Sequence, residues 1–319
     1  MKISLLIAAY NESESLSELF RQIGEVSTRH GEFEWEVIIV DDGSSDGSWE
    51  LIQRLSVQNC CIKAVRHRTN LGKSAAIRSG LGHIKGQIVV SLDADLQDDP
   101  EEIPEMVDML VSGEVDLVVG YKQNRKDPAH KRWPSKLFNA TTSKVTGLRI
   151  RDHNCGLKAG RAEVWKSVDF FGEMHRYFAA MAHCNGFLVR EKVVNHRPRQ
   201  HGSSKFGWER YTRGLIDLLT VVLLTRFRGR PAHLFGGIGL TLGIVGFTVL
   251  SYLSVDKLIF GATIGNRPLL ALGALLLVVA VQLISLGILA ELVLRSKSSA
   301  SDVGLLNDSV IDVVEIQQQ

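Results

Sequence analysis

The sequence predicts an α/β protein: a mostly parallel sheet with helices on both faces, then amphipathic juxtamembrane helices and a C-terminal two-helix transmembrane hairpin. Three observations predict it. Between Ile3 and Gly120, short apolar runs rich in Ile, Val and Leu alternate with segments of helical periodicity. Those runs are apolar throughout rather than alternating, as strands of a parallel sheet buried on both faces are. Two long uncharged stretches lie near the C-terminus.

The elements follow in chain order. Residues 3–9 form the first run, which ends in Tyr10-Asn11-Glu12. A signal peptide would need a longer apolar region before the first acidic residues, so a first strand fits better. Ser13 to Gly24 has helical spacing, and Glu36 to Val40 is a β-rich run ending in Asp41-Asp42-Gly43-Ser44-Ser45-Asp46. Trp49 to Leu55 reads as a helix, Ile62 to Val65 as a strand, Ala75 to Ile84 as a helix and Ile88 to Leu92 as a strand. Ile103 to Val111 is a further helix and Leu117 to Gly120 a further strand. Beyond Pro128 the pattern loosens: Lys131 to Val145 is an amphipathic helix, Phe187 to Val194 a strand, and Trp208 to Phe227 suits a membrane interface.

From Pro231 to Val255, and again from Pro268 to Ala290, there is no Asp, Glu, Lys or Arg. Each stretch exceeds the ~20 residues a helix needs to cross a bilayer. Crossings over about 232–255 and 268–291 divide the chain into four parts: a cytosolic domain (1–207), juxtamembrane helices (208–230), the hairpin (231–295) and a mobile cytosolic tail (296–319). Arg226, Arg228 and Arg230 precede the first crossing, and Arg295 and Lys297 follow the second, whereas the link between them holds Lys257 and Arg267. Positive charge thus favours both ends inside, as a multi-pass protein of the cell inner membrane.

Composition excludes other classes. A net charge of +2 without a basic block argues against nucleic acid. Cys60, Cys61, Cys155 and Cys184 have neither metal-site spacing nor the density of a disulfide scaffold, and read as reduced thiols.

The polar clusters carry the chemistry. In parallel sheets ligands bind beyond the carboxyl ends of the strands, and Tyr10–Glu12, Asp41–Asp46, Asn70–Lys73 and Asp93–Gln97 all fall there. Asp93-Ala94-Asp95 with Gln97 supplies oxygen ligands for a hard divalent cation, Mg²⁺ or Mn²⁺, of the kind that substrate phosphates complete. Asp41-Asp42-Gly43-Ser44 is either a turn or an acceptor for a nucleobase or ribose. No G-x-G-x-x-G follows the first strand, which argues against a dehydrogenase, and the G-x-x-x-x-G-K-[ST] phosphate loop is missing too. Asn70-Leu71-Gly72-Lys73 offers a helix start and a Lys to an anion. Lys122, Arg125, Lys126, Lys131, Arg132 and Lys136, with Ser135, form either a solvated basic face or a second phosphate site. Arg197, Arg199 and Lys205 lie in a Gly- and Ser-containing loop able to neutralise a diphosphate.

Taken in order, Ala9-Tyr10-Asn11-Glu12, Asp41-Asp42-Gly43-Ser44-Ser45-Asp46, Asn70-Leu71-Gly72-Lys73, Asp93-Ala94-Asp95-Leu96-Gln97, Asp152-His153-Asn154-Cys155-Gly156 and Gly202-Ser203-Ser204-Lys205 resemble the inverting family 2 glycosyltransferases of GT-A, Rossmann-like fold. Within them the chain resembles the polyisoprenyl-phosphate group, which includes dolichol-phosphate mannose synthases and bacterial bactoprenol glucosyltransferases. Two departures stand out. The Q-x-x-R-W motif of processive synthases is missing, the nearest text being His175-Arg176-Tyr177, and many relatives have Pro where this chain has Ala9.

The resemblance implies that Ala9, Tyr10, Asn11, Glu12, Val40, Asp42, Lys73, Asp93 and Ala94 bind the nucleotide sugar, with Arg199 and Lys205 closing on it. It implies Asp95 and Gln97 as metal ligands, Asp95 and Asp152 as catalytic positions, and Lys122, Arg125, Lys131, Arg132 and Ser135 as the lipid-phosphate site. The expected reaction moves a hexose, glucose from UDP-glucose, onto undecaprenyl phosphate at the cytosolic membrane face. GDP-mannose, UDP-N-acetylhexosamine and an amino-arabinose nucleotide remain as alternative donors. A homo-oligomer through the hairpin stays open. A membrane-anchored nucleotide-sugar binding partner of a flippase is the non-enzyme alternative.

Overall fold

The computed structural model describes residues 1–59, 61–123, 139–144, 146–195, 197, 231–261, 268–300 and 311–312, with side chains of the last helix described up to 293. Arg125, Lys131, Arg132, Ser135, Arg199, Lys205, the 208–230 segment and residues 262–267 of the link lie outside the described residues. The chain divides into two compact units, 1–221 with 307–319, and 222–306.

In the first unit, β1 (Lys2–Ala9), α1 (Ser13–Arg29), β2 (Glu34–Asp41), α2 (Ser48–Gln58), β3 (Ile62–His67), α3 (Lys73–Leu81) and β4 (Ile88–Asp93) alternate as expected. They are followed by α4 (Ile103–Val111), β5 (Leu117–Tyr121), β6 (Lys158–Arg161), α5 (Ala162–Lys166), α6 (Phe178–Cys184) and β7 (Val189–Val193). A two-residue strand, β8 (Ile311–Asp312), from the tail runs antiparallel to β3 at the edge. The sheet order is β7-β5-β6-β4-β1-β2-β3-β8. The pairs β1–β2, β1–β4, β2–β3 and β5–β7 are parallel, and β6 is inserted antiparallel between β4 and β5.

Both sheet faces are covered. Leu5, Ile7 and Ile39 on one face and Leu6, Ile38 and Val40 on the other are all buried. On the second face α3 lies so close that a Cβ at Gly80 would overlap Leu6 and stand 3.1 Å from Val40 Cγ2. Continuous apolar runs are what such two-sided burial selects.

β6, α5 and α6 have no counterpart in the sequence expectations. Lys-Ala-Gly-Arg carries no β-branched residue, and its strand state comes from pairing with β4 and β5 rather than from propensity. α5 and α6, at 5 and 7 residues, are too short to show a period.

In the second unit, α7 (Pro231–Phe260) and α8 (Pro268–Ala300) exceed the expected crossings at their C-terminal ends and are long and apolar enough to span a bilayer. They pack antiparallel through glycines. A Cβ at Gly239 would stand 2.8 Å from the Ala280 carbonyl, and one at Gly246 would stand 3.0 Å from that of Gly273. Backbone contact through small residues is how helices associate in lipid. The remaining surface is exposed and apolar, including Phe247, Leu258, Val281 and Leu292.

Candidate active site

A cleft of about 460 Å³ opens at the carboxyl ends of β1, β2 and β4. Ala9, Tyr10, Glu12, Asp42, Asn70, Gly72, Lys73, Asp93, Ala94 and Asp95 line it, so all four of the expected polar clusters meet at one site. Its other end is built from residues after Asp152: Asn154, Cys155, Gly156 and Lys158, then Trp165, Phe170, Glu173, His175, Arg176 and Phe178.

At the first end, loops hold one another before any ligand arrives. Asn11 has a left-handed backbone (φ 53°). Its amide donates to Ser44 Oγ at 2.9 Å, and its Oδ1 accepts from the Ser45 amide at 2.8 Å. It thus joins the β1 and β2 loops and is not among the cleft-lining residues. Gly43 (φ 74°) lets the second loop press on the third, since a Cβ there would lie 2.7 Å from Asn70 N. Val40 is fully buried in the sheet below.

Asp42 both lines the cleft and anchors the Asn70–Lys73 turn. Its Oδ1 accepts from the Leu71 amide at 2.9 Å and its Oδ2 from the Gly72 amide at 2.8 Å. His67, fully buried, lies 2.7 Å from Asp42 Oδ1 through Nδ1 and 2.9 Å from Ser79 Oγ through Nε2. The amides of Leu71 and Gly72 therefore already hold an anion, which comes from the protein itself.

The acidic turn is shaped by strain and charge. Leu96, buried and at φ 62°, bends the chain so that the Gln97 amide donates back to Asp95 Oδ1 at 3.2 Å. A left-handed non-glycine residue is sparsely populated and clusters at functional sites. Asp93 is paired with Lys73. Burial pushes its carboxyl up, but the Lys73 and Lys122 charges prevail and hold it well below the usual carboxylate range. Lys122 pairs with the buried Asp98 at 2.8 Å. Gly156 closes this corner, because a Cβ there would overlap the Asp93 carboxylate and stand 2.7 Å from Asp98 Oδ2.

Asp95 and the Gln97 side chain are oxygen donors suited to a hard cation, while among the described residues no group of three His, Cys, Asp or Glu gathers. A cation held here would take its remaining ligands from water and substrate phosphate, which is how Mg²⁺ sites are built. The described part of the basic loop starts at this turn. Arg197 donates its amide to the Gln97 carbonyl at 3.0 Å and its guanidinium lies 2.7 Å from Asp99 Oδ1.

Asp152 is buried behind the lining. Its Oδ1 accepts from the Asn154 amide at 3.1 Å, and its own amide donates to Glu191 Oε1 at 3.0 Å. The next residue, His153, is kept neutral because burial, then the Lys158 charge, push it down to about 4. Burial likewise pushes the Cys155 thiol up to about 12, leaving it without thiolate character.

The far end has an aromatic wall, with Trp165 and Phe178 ring centroids 4.2 Å apart, and a polar rim of Glu173, His175 and Arg176. His175 donates its amide to Ser74 Oγ at 3.1 Å, and its Nδ1 lies 3.0 Å from the same oxygen. Burial and the neighbouring Lys73 hold this imidazole well below its ordinary pKa. Arg176 pairs with Glu173 at 2.7 Å. The Asp152–Gly156 motif pointed to Asn154, Cys155 and Gly156, whereas sequence reasoning missed the residues from Lys158 to Phe178, which lie on β6, two short helices, a 3-10 turn and the loops between them.

The comparisons with known proteins follow the geometry. The family model described as glycosyl transferase family 2 matches residues 4–169. The dodecaprenyl-phosphate galacturonate synthase of Rhizobium johnstonii is 37% identical over 300 residues, covering 93% of this chain and 88% of that protein. The undecaprenyl-phosphate 4-deoxy-4-formamido-L-arabinose transferase of Pseudomonas fluorescens is 36% identical over 293 residues, covering 91% and 83%. Among solved structures, glucosyl-3-phosphoglycerate synthase from Mycobacterium tuberculosis, in complex with Mn²⁺ and UDP-glucose, has a TM-score of 0.53 at 19% identity, covering 69% of this chain and 78% of that one. Mannosyl-3-phosphoglycerate synthase from Rubrobacter xylanophilus has a TM-score of 0.55 at 14% identity, covering 72% and 76%. These two likenesses establish the GT-A type of fold. The chain is a member of glycosyl transferase family 2, a membership it shares with polyprenyl-phosphate sugar transferases.

Proposed function

We propose that this glycosyltransferase moves a sugar from a UDP-linked donor onto a polyprenyl phosphate at the cytosolic face of a membrane. The observation that carries the reading is the cleft in which Asp93, Ala94 and Asp95 of the acidic turn meet Tyr10, Glu12, Asp42 and Lys73 from the other strand ends. The apolar hairpin supports a lipid-borne acceptor. So do the relatives, whose names carry dodecaprenyl and undecaprenyl phosphate. Those names also carry galacturonate and formamido-arabinose, which moves the donor reading away from UDP-glucose toward a modified sugar.

One oxygen of the lipid phosphate attacks the anomeric carbon in line. The new C–O bond forms as the bond to the β-phosphate breaks, its electron pair leaves with UDP, and the configuration inverts. A phosphate monoester with a second pKa near ~6 is already ionised, so no strong base is needed. Asp152, behind the lining, fits an orienting task through Asn154 rather than proton removal. Glu12, Tyr10 and Asp42 hold the nucleoside, and Lys73 and Asp93 set the charge beside the diphosphate.

Asp95 and Gln97 would hold Mg²⁺ or Mn²⁺, which supplies positive charge to a departing diphosphate. A Mn²⁺–UDP-glucose complex of a structural neighbour supports this. Arg199 and Lys205 add to that charge, and Arg197 supports the placement because it fixes the start of their loop at Gln97. Lys122, Arg125, Lys131, Arg132 and Ser135 serve the lipid phosphate. Two crossings with both ends in the cytosol would bring cleft and acceptor to one side, a reading that the distribution of positive charge supports.

Asp95→Ala tests the reading. Release of UDP in the presence of undecaprenyl phosphate should be abolished, with the urea midpoint unchanged. Full retained turnover would contradict the assignment of the acidic turn.

A further inference from the structure

Three exposed hydroxyls of α7, those of Thr241, Thr248 and Ser254, donate to the carbonyls of Gly237, Ile244 and Leu250 one turn back in the same helix. On α8 two polar side chains, Gln282 and Ser285, are exposed among apolar neighbours, and neither has a hydrogen-bond partner among the described residues. Gln282 is deep. In the 26-residue span Pro268–Val293 it lies roughly 2 Å from the middle, at about 1.5 Å per residue. Its amide is too far from either end to reach the interface, and an unpaired polar group in hydrocarbon is costly.

Its place around the helix says what would complete it. One side of α8 is already packed, where Gly273, Ala280, Ile284 and Gly287 meet α7. Gln282 is two residues past Ala280, a turn of about 200°, and so stands on the opposite side. There Leu275, Val278, Gln282, Ser285, Leu289 and Leu292 recur at intervals of three and four, the a/d spacing of a coiled-coil seam. The four aliphatic members are 58%, 54%, 59% and 60% exposed. This second seam has the period of a helix–helix contact, with a single amide near its centre.

We propose that this seam pairs two copies of the chain in the membrane, with their Gln282 amides bonded to each other at a two-fold axis along the membrane normal. Two arguments favour a second copy over another membrane protein. Copies of one chain insert with the same orientation, so each presents Gln282 at the same depth. A carboxamide carries both donors and acceptors and is its own complement, as an isologous contact requires. One polar residue at an a position of such a seam fixes register and the number of strands. The inference goes beyond the transfer reading and does not depend on it; it rests on α8 spanning a bilayer.

The test is energy transfer between full-length copies in lipid vesicles, labelled with donor or acceptor dye through the exposed Cys61 and diluted stepwise with lipid. The wild type should dimerise, with transfer falling as lipid is added. Gln282→Leu, which keeps the size of the side chain, should weaken the dimer by about 10-fold, and Gln282→Asn, which keeps the amide, by no more than about 3-fold. The exchange Val281→Gln with Gln282→Val leaves composition and depth unchanged but turns the amide about 100° off the seam. That variant should match Gln282→Leu. A wild type that stays monomeric at the highest protein-to-lipid ratio overturns the proposal. So does a Gln282→Leu dimer as tight as wild type, which places the contact elsewhere, or equal weakening by Leu and Asn, which removes the amide from it. Full dimerisation of the exchanged variant also overturns it, since depth and not the seam would then decide.

Discussion

Asn11 and Leu96 hold left-handed backbones (φ 53° and 62°), and each fixes a loop at the cleft. The αL state costs a side-chain-bearing residue about 1–2 kcal/mol, and Asn tolerates it better than most. Asn11→Gly keeps that conformation and loses the bond to Ser45, whereas Asn11→Ala loses both. The alanine variant should therefore be less stable than the glycine variant by about 1 kcal/mol in urea titration; equal midpoints would contradict the strain account. Asp42 was legible from its motif as a polar group at a strand end. Its grip on the Leu71 and Gly72 amides and on His67 was not, because those partners lie 25 to 30 residues away. Asp42→Ala should destabilise the domain by about 2–3 kcal/mol, since buried donors are left unpaired, and weaken UDP binding in calorimetry.

At the scale of elements, one carboxylate ties two helices together. Asp46 Oδ1 accepts from the Ser48 amide at 3.0 Å at the start of α2, and its Oδ2 accepts from the Ser13 amide at 3.0 Å at the start of α1. Exposure is too high for burial to win: the Ser48 hydroxyl and the two amides hold Asp46 down to about 2. With a folded pKa below the unfolded one, its contribution is present above the ordinary carboxylate range and is lost as pH falls toward about 2. Asp46→Ala should cost about 1 kcal/mol at pH 7, and the gap to wild type should shrink between pH 4 and ~2. A gap independent of pH would refute this capping role. The strands β1, β2 and β4 were readable because Ile, Val and Leu dominate them. β6 was not, since its four residues owe their state to neighbours on both sides. The cleft residues from Trp165 to Phe178 follow β6 and stayed hidden with it.

At the scale of the whole molecule, the hydropathy of 231–293 was the plainest signal in the sequence, because a bilayer demands a length that no chance pattern supplies. What it leaves to experiment is orientation. A cysteine introduced by Thr263→Cys should react with a membrane-impermeant thiol reagent on intact cells, while the exposed Cys61 stays protected until the cells are opened. Labelling of Cys61 first would reverse the topology. The donor sugar was not legible, because no run of residues encodes one ring substituent. The central claim is glycosyl transfer to a lipid monophosphate, and the nucleotide released tests it most directly. With a UDP-sugar and undecaprenyl phosphate, chromatography should find UDP and an undecaprenyl-monophosphate sugar in equal amounts. Release of UMP with an undecaprenyl-diphosphate sugar, or no nucleotide release dependent on the lipid, would contradict it.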